Sequence, residues 1–137
     1  MEHVTERMDS AYYEFCRERR RPYFGRHMWA SQGLPLRHVV MQELVRLQAS
    51  QQPGRPLRIL EVGSWAGGSA ITWAEAVKRY AGGGQVFCVD PWKPYFKMVD
   101  RPDVPVYRRM ADALEQDTIY DLFVHNVGAA GHADVVT

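Results

Sequence analysis

Along the chain, apolar positions alternate between helical and strand spacing, and these alternations mark its elements. Val4, Met8, Tyr12 and Phe15 fall at spacings of four, four and three, one stripe of a helix over residues 2–20. The run Arg17-Glu18-Arg19-Arg20-Arg21 ends that helix, and Pro22 confirms the stop. Acidic residues precede this basic cluster, so it reads mainly as a solvated helix end, where cations are favourable. Residues 22–34 are aromatic and irregular. Leu36, Val39, Val40, Leu44 and Leu47 then repeat at helical spacing up to Ala49. The polar stretch 50–56 carries two prolines and a glycine and reads as a connection rather than a domain linker.

The next stretch has a different rhythm. Residues 57–62 (LRILEV) read as a short buried strand, 63–68 as a glycine-rich turn, and 69–81 as a helix with Ile71, Ala74, Val77 and Ala81 on one side. Gly82, Gly83 and Gly84 end that helix, and residues 85–90 (QVFCVD) read as a second strand ending in an acid. Strand, helix and strand form one βαβ unit, which requires a parallel pair with a right-handed crossover. Residues 91–105 are punctuated by four prolines, the mark of a functional or mobile loop. Residues 107–116 suit a short helix. Residues 118–127 suit another, with Thr118 and Asp121 at capping-box spacing and Gly128 beyond its end. His132-Ala133-Asp134 reads as a turn, and Val135-Val136-Thr137 as the opening of a third strand. A parallel sheet of two strands and a stub lacks neighbours and cover, so the expectation is the N-terminal part of a larger α/β domain. A small domain with a frayed tail is the alternative.

Composition narrows the class. The chain has 137 residues, 46% hydrophobic and 24% charged, which suits one globular domain. Seventeen Lys and Arg against sixteen Asp and Glu leave a net charge of +1, so no global field points to nucleic acid or an anionic membrane. No apolar run approaches the roughly 20 residues that span a bilayer, and the first ten residues lack an apolar signal-peptide core. Cys16 and Cys88 stand far apart in no metal-type spacing, and Cys88 reads as a buried small hydrophobe. The expectation is a reduced, cytoplasmic protein. His3, His27, His38, His125 and His132 show no paired ligand spacing.

Candidate chemistry gathers where the first strand ends. Leu60-Glu61-Val62-Gly63-Ser64-Trp65-Ala66-Gly67-Gly68-Ser69 runs from strand through turn into helix, and Asp90 closes the next strand. Gly63 allows the sharp turn, and Gly67 and Gly68 allow close approach of a ligand. The helix N-terminus offers free N–H donors to a carboxylate or phosphate, and Asp90 is placed to accept from both ribose hydroxyls. The dinucleotide pattern G-x-G-x-x-G needs glycine at 65, where Trp65 stands, and its longer variant needs glycine at 69, where Ser69 stands. Glu61 would repel a pyrophosphate but suits an ammonium. S-adenosylmethionine carries that ammonium together with a carboxylate, a sulfonium and a ribose diol. Glu61 as a cap of the turn, Trp65 and Trp73 as packing, and Trp92 as a loop anchor are the structural alternatives.

The run E-V-G-S-W-A-G-G-S resembles motif I of the class I S-adenosylmethionine-dependent methyltransferases. It is most similar to the small O-methyltransferases of the catechol type, with their E-x-G-x-x-x-G-x-S pattern. V-F-C-V-D-P-W resembles the second motif of bacterial members related to macrocin O-methyltransferase and the cephalosporin hydroxylase-like group, and I-Y-D-L-F-V-H-N-V-G-A-A-G the helix before their third strand. The resemblance covers residues 34–137 and implies a Rossmann-like parallel sheet with flanking helices, preceded over 1–33 by a helix and an aromatic cover segment. It implies that Glu61 holds the methionine amino end, that Gly63, Ser64, Trp65, Gly67, Gly68 and Ser69 line the methionine and ribose side, and that Asp90 holds the ribose diol with Pro91 and Trp92 near the adenine. In the family, the acceptor-activating residues, and in many members an aspartate that binds a divalent metal, follow the fourth strand and would fall beyond Thr137. The chain alone is therefore expected to be inactive, with no catalytic or metal-binding residue of its own. A small-molecule or sugar hydroxyl is the expected methyl acceptor; neither nucleic acid nor membrane is expected as a partner, and a homo-oligomer stays open. His27 and the loop 91–105 are candidates to cover the cleft. The competing readings are an NAD(P)-binding oxidoreductase fragment and a non-catalytic piece that pairs with another chain across its exposed edge.

Overall fold

The computed structural model describes residues 2–27, 34–94 and 105–137. Much of the proline-rich loop and part of the aromatic segment, both expected to cover the cleft, lie outside the described residues. The elements in chain order are α1 (Glu2–Glu18), a 3-10 turn (Gly25–His27), α2 (Pro35–Gln51), β1 (Leu57–Val62), α3 (Gly68–Tyr80), β2 (Gly84–Val89), α4 (Pro105–Glu115) and α5 (Ile119–Ala129). The fold is mixed α/β: a two-stranded parallel sheet with flanking helices. Among the described residues no helix is long and apolar enough to cross a membrane.

β1 and β2 pair in register from Leu57 opposite Gly84 to Val62 opposite Val89. On the far side of β2 the last residues begin a further parallel pairing. Val86 N–H donates to the Val135 carbonyl at 2.9 Å, Cys88 N–H to Thr137 at 2.8 Å, and Thr137 N–H back to Val86 at 2.9 Å. One sheet face is covered: Val86 packs with Ala70, Ala74 and Val77 of α3 and with Phe123 and Val127 of α5. The other face carries Leu60, Val62 and Val89, each more than half exposed.

Two helices bury a different stripe from the one that apolar spacing selects. In α2 the buried seam is Met41, Val45 and Ala49, while Leu36, Val39, Val40, Leu44 and Leu47 are exposed. The seam packs on α3, where Ala70 and Ala74 leave room for close approach, and His38 Nδ1 meets Thr72 Oγ1 at 2.7 Å. In α1, Val4, Met8, Tyr12 and Phe15 are exposed and Cys16 is buried. α1 stops at Glu18 because Arg20 takes the left-handed conformation (φ 49°), with Arg21 N–H reaching the Cys16 carbonyl and Arg20 N–H the Arg17 carbonyl. That is the Schellman pattern, here with arginine where glycine is usual. α5 also departs from expectation. Thr118 makes no side-chain cap, so the Thr118/Asp121 box does not form, and the helix runs through Gly128 to Ala129.

A second apolar cluster joins the N-terminal segment to the glycine-rich turn. Cys16 and Tyr23 pack with Trp65, Ala66, Leu114 and Leu122. Asn126 of α5, fully buried, holds this junction. Its Oδ1 accepts from Tyr23 N–H at 2.7 Å, and its Nδ2 donates to the carbonyls of Tyr23 at 2.8 Å and Ala66 at 2.9 Å. Removing the amide strands three buried backbone groups, at about 1–3 kcal/mol each. We expect Asn126→Ala to lower the free energy of unfolding by about 3–5 kcal/mol, read by urea denaturation. A loss below 1 kcal/mol would mean that the junction does not depend on it.

Candidate functional site

The site lies at the carboxyl edge of the sheet, where β1 leads through residues 63–67 into α3. Gly63 and Gly67 sit at φ 86° and 89°, which L side chains rarely adopt. At Gly67 a Cβ would also come within 3.2 Å of the Phe123 ring. Trp65, between them, is left-handed as well (φ 49°), a strained state for a bulky residue. What holds it is Asp90. Its Oδ2 accepts from Trp65 N–H at 2.9 Å and its Oδ1 from Trp92 N–H at 2.8 Å. The Trp92 indole then donates to the Trp65 carbonyl at 2.9 Å. The end of β2 is thus fastened to the turn after β1. Each carboxylate oxygen keeps a second lone pair for a ligand.

Glu61 is the chemically exceptional residue. Only 7% exposed, it faces the helix-covered side of the sheet. Its Oε2 accepts the Cys88 thiol at 3.6 Å, while Oε1 is buried without a partner. Beside it, Ser64 Oγ is buried and makes no hydrogen bond of good geometry, although its hydroxyl lies near enough to Cys88 to favour the thiolate. Burial outweighs that effect, and with the Glu61 charge it pushes the Cys88 thiol up to about 11. Cys88 is therefore a neutral donor to Glu61 at physiological pH, half-buried rather than a purely apolar filler. No side chain caps the N-terminus of α3, and Ser69 in its first turn is buried. An orphaned carboxylate oxygen, an orphaned hydroxyl and an uncapped helix start therefore share one corner.

The structure brings Glu61, Ser64, Ser69 and Asp90 together around this turn. The Trp65 indole packs inward against the N-terminal segment, its Nε1 buried without a partner, so only its backbone faces Asp90. Trp92 is a loop anchor in its indole hydrogen bond, and it also forms an aromatic cluster with Tyr120 and Phe123 at 5.0 Å each. Pro91 is exposed beside it. Trp73 packs against the main core. Among the described residues no three His, Cys, Asp or Glu side chains group as a metal site.

Two contributors escape motif reading. Asn126, the clamp on Ala66, is a lone amide on a mostly apolar helix, and that isolation is its only sequence signal. The other is Tyr23, which lies in the same aromatic segment as His27, itself a candidate cover of the cleft from the sequence. Tyr23 donates from its hydroxyl to Asp9 at 2.6 Å, and burial, with that bond, pushes it up to about 12. His27 stands edge-on to Trp65 at 6.1 Å, closing the outer side of the turn. His125 Nε2 pairs with the Arg21 carbonyl at 2.9 Å and fixes the start of this segment. The chain matches no family model, no curated protein and no solved structure.

Burial pushes His27 down to about 4, with Arg26 adding to the shift and Asp9 opposing it. The unfolded chain takes up this proton near 6.5, the folded protein only near 4. Stability therefore rises with pH across that window and is lost as pH falls through it. Relative to His27→Phe, the wild-type protein is expected to lose about 2–3 kcal/mol more between pH 7 and pH 4, measured by urea denaturation at each pH. Parallel profiles for the two proteins would contradict this.

Proposed function

We propose that the turn 63–69, with Glu61 and Asp90, binds S-adenosylmethionine, and that the chain is the cofactor-binding part of a Rossmann-like class I O-methyltransferase. The observation that carries the reading is the buried, unpartnered Oε1 of Glu61 beside an uncapped helix N-terminus. A buried carboxylate oxygen without a partner is costly, and a ligand ammonium would relieve it. The orphaned Ser64 hydroxyl fits the same amino-acid end, and the first N–H groups of α3 suit its carboxylate. Asp90, already oriented by two backbone N–H groups, retains acceptor capacity for a ribose diol. Trp92 and Tyr120 offer aromatic surface next to it.

When bound, S-adenosylmethionine supplies an activated methyl on its sulfonium. The residues of this chain would fix the direction of that methyl by holding both ends of the donor, and in-line transfer depends on such alignment. Glu61 fixes the amino end and Asp90 the ribose, at opposite sides of the turn. A base or metal that deprotonates a small-molecule or sugar hydroxyl would come from further polypeptide. The exposed Leu60, Val62 and Val89 support such a cover for the sheet, whether from this protein or a partner chain.

Glu61→Gln separates this reading from a structural role for Glu61. The isostere removes a buried charge, so thermal stability should stay level or rise. Affinity for S-adenosylmethionine by calorimetry should fall about 10–100-fold, the worth of a charge-assisted hydrogen bond. A variant that loses stability while binding the cofactor as before, or a wild-type protein that binds NAD and not S-adenosylmethionine, would overturn the proposal. Asp90 is the poorer test, because its replacement also releases Trp65 and Trp92.

A further inference from the structure

α1 carries two faces with different fates. Asp9, Tyr13 and Cys16 point into the molecule. Asp9 bonds Tyr23 and Arg26, Tyr13 stands edge-on to Tyr23 at 5.1 Å, and Cys16 is 1% exposed. Val4, Met8, Tyr12 and Phe15 form a second stripe, roughly 110° around the helix at 100° per residue, and these four are 44–69% exposed. The Tyr12 ring also leans on Tyr23 at 5.6 Å and the Arg19 guanidinium lies over the Phe15 ring, but all four side chains keep large exposed area in line over three turns, a contiguous patch of the kind that marks an interaction site.

The charges beside the stripe indicate what covers it. Arg7 and Glu14, both exposed, flank it on the side away from the inward seam. Two α1 helices packed antiparallel about a two-fold axis would set Val4 across from Phe15 and Met8 across from Tyr12. Arg7 of each copy then lies within one or two residues of Glu14 of the other, giving two ion pairs by symmetry. Parallel packing would instead oppose Arg7 to Arg7 and Glu14 to Glu14. A bilayer surface is a poor occupant, because Glu6, Asp9, Glu14 and Glu18 lie on the same helix, and interfacial helices favour Lys and Arg. We propose that the exposed stripe of α1 is a self-association surface, through which two copies of this chain pair antiparallel with reciprocal Arg7–Glu14 contacts.

Two such helices bury on the order of 1,000 Å², the low end for a specific interface and the size typical of weak, reversible association. Sedimentation equilibrium of the whole chain from 2 to 200 μM tests it. The wild-type protein should show a monomer–dimer equilibrium. Arg7→Glu and Glu14→Arg should each weaken it about tenfold, and the double variant should restore it to within about threefold. Neither residue lies in the core or at the glycine-rich turn, so circular dichroism should be unchanged. A monomer across the whole range overturns the proposal. So does association that ignores the charge swaps, which would locate it on the open sheet face, or a monomer that binds phosphatidylglycerol vesicles through α1.

Discussion

The side-chain amide of Asn126 is the constraint from which the geometry of the site follows. It satisfies both backbone groups of Tyr23 and the carbonyl of Ala66 at once, with no exposure to water. Buried backbone groups need partners, and neither the turn nor the Tyr23 segment belongs to a ladder that would supply them. Among the described residues, Asn126 is therefore the one that hydrogen-bonds α5 to both the glycine-rich turn and the N-terminal segment, within an apolar cluster that His125 closes on Arg21. Asp90 performs the corresponding task from the other side, tying Trp65 and Trp92 to the end of β2. A turn held from both sides is pre-organised, and a ligand that enters it loses less to ordering.

The parts of the fold legible in the sequence are those with unambiguous local signals. β1 occupies 57–62 as its apolar run indicates, although it is not the buried strand expected, since Leu60 and Val62 face outward and only Glu61 is buried, and α3 begins beside the glycines that mark its start. The opening of a third strand at Val135 is met by ladder hydrogen bonds to β2. Helix facing is less legible. α2 has two neighbouring apolar stripes, and the larger aliphatic one is the more conspicuous, yet Met41, Val45 and Ala49 form the seam that meets α3, where Ala70 and Ala74 leave room for close approach. The difference lies in the shape of the partner helix, which spacing along α2 does not contain.

The site divides in the same way. Glu61, Gly63, Ser64, Gly67, Ser69 and Asp90 all converge at the sheet edge. The second task of Asp90, capping Trp65 and Trp92, depends on left-handed backbone at two tryptophans, a state their residue type does not signal. The partnership of Glu61 with Cys88 is legible only once the strands are in register, since the two residues are direct neighbours across the pair. Asn126 and His27 reach the turn from segments distant in sequence.

Glu61 is where stability and the proposed function part company. A valine there would pack against α3 without the cost of a buried charge, whereas an unpartnered carboxylate oxygen is the pattern expected of a residue kept for a ligand. The most direct test of that claim compares two ligands that share adenosine and a thioether and differ in the amino-acid end. S-adenosylhomocysteine carries the ammonium and carboxylate; 5′-methylthioadenosine lacks both. Calorimetric titration of the wild-type protein should show the first binding at least about tenfold more tightly, the worth of one or more charge-assisted contacts. Equal affinities, or no binding of either, would contradict the account.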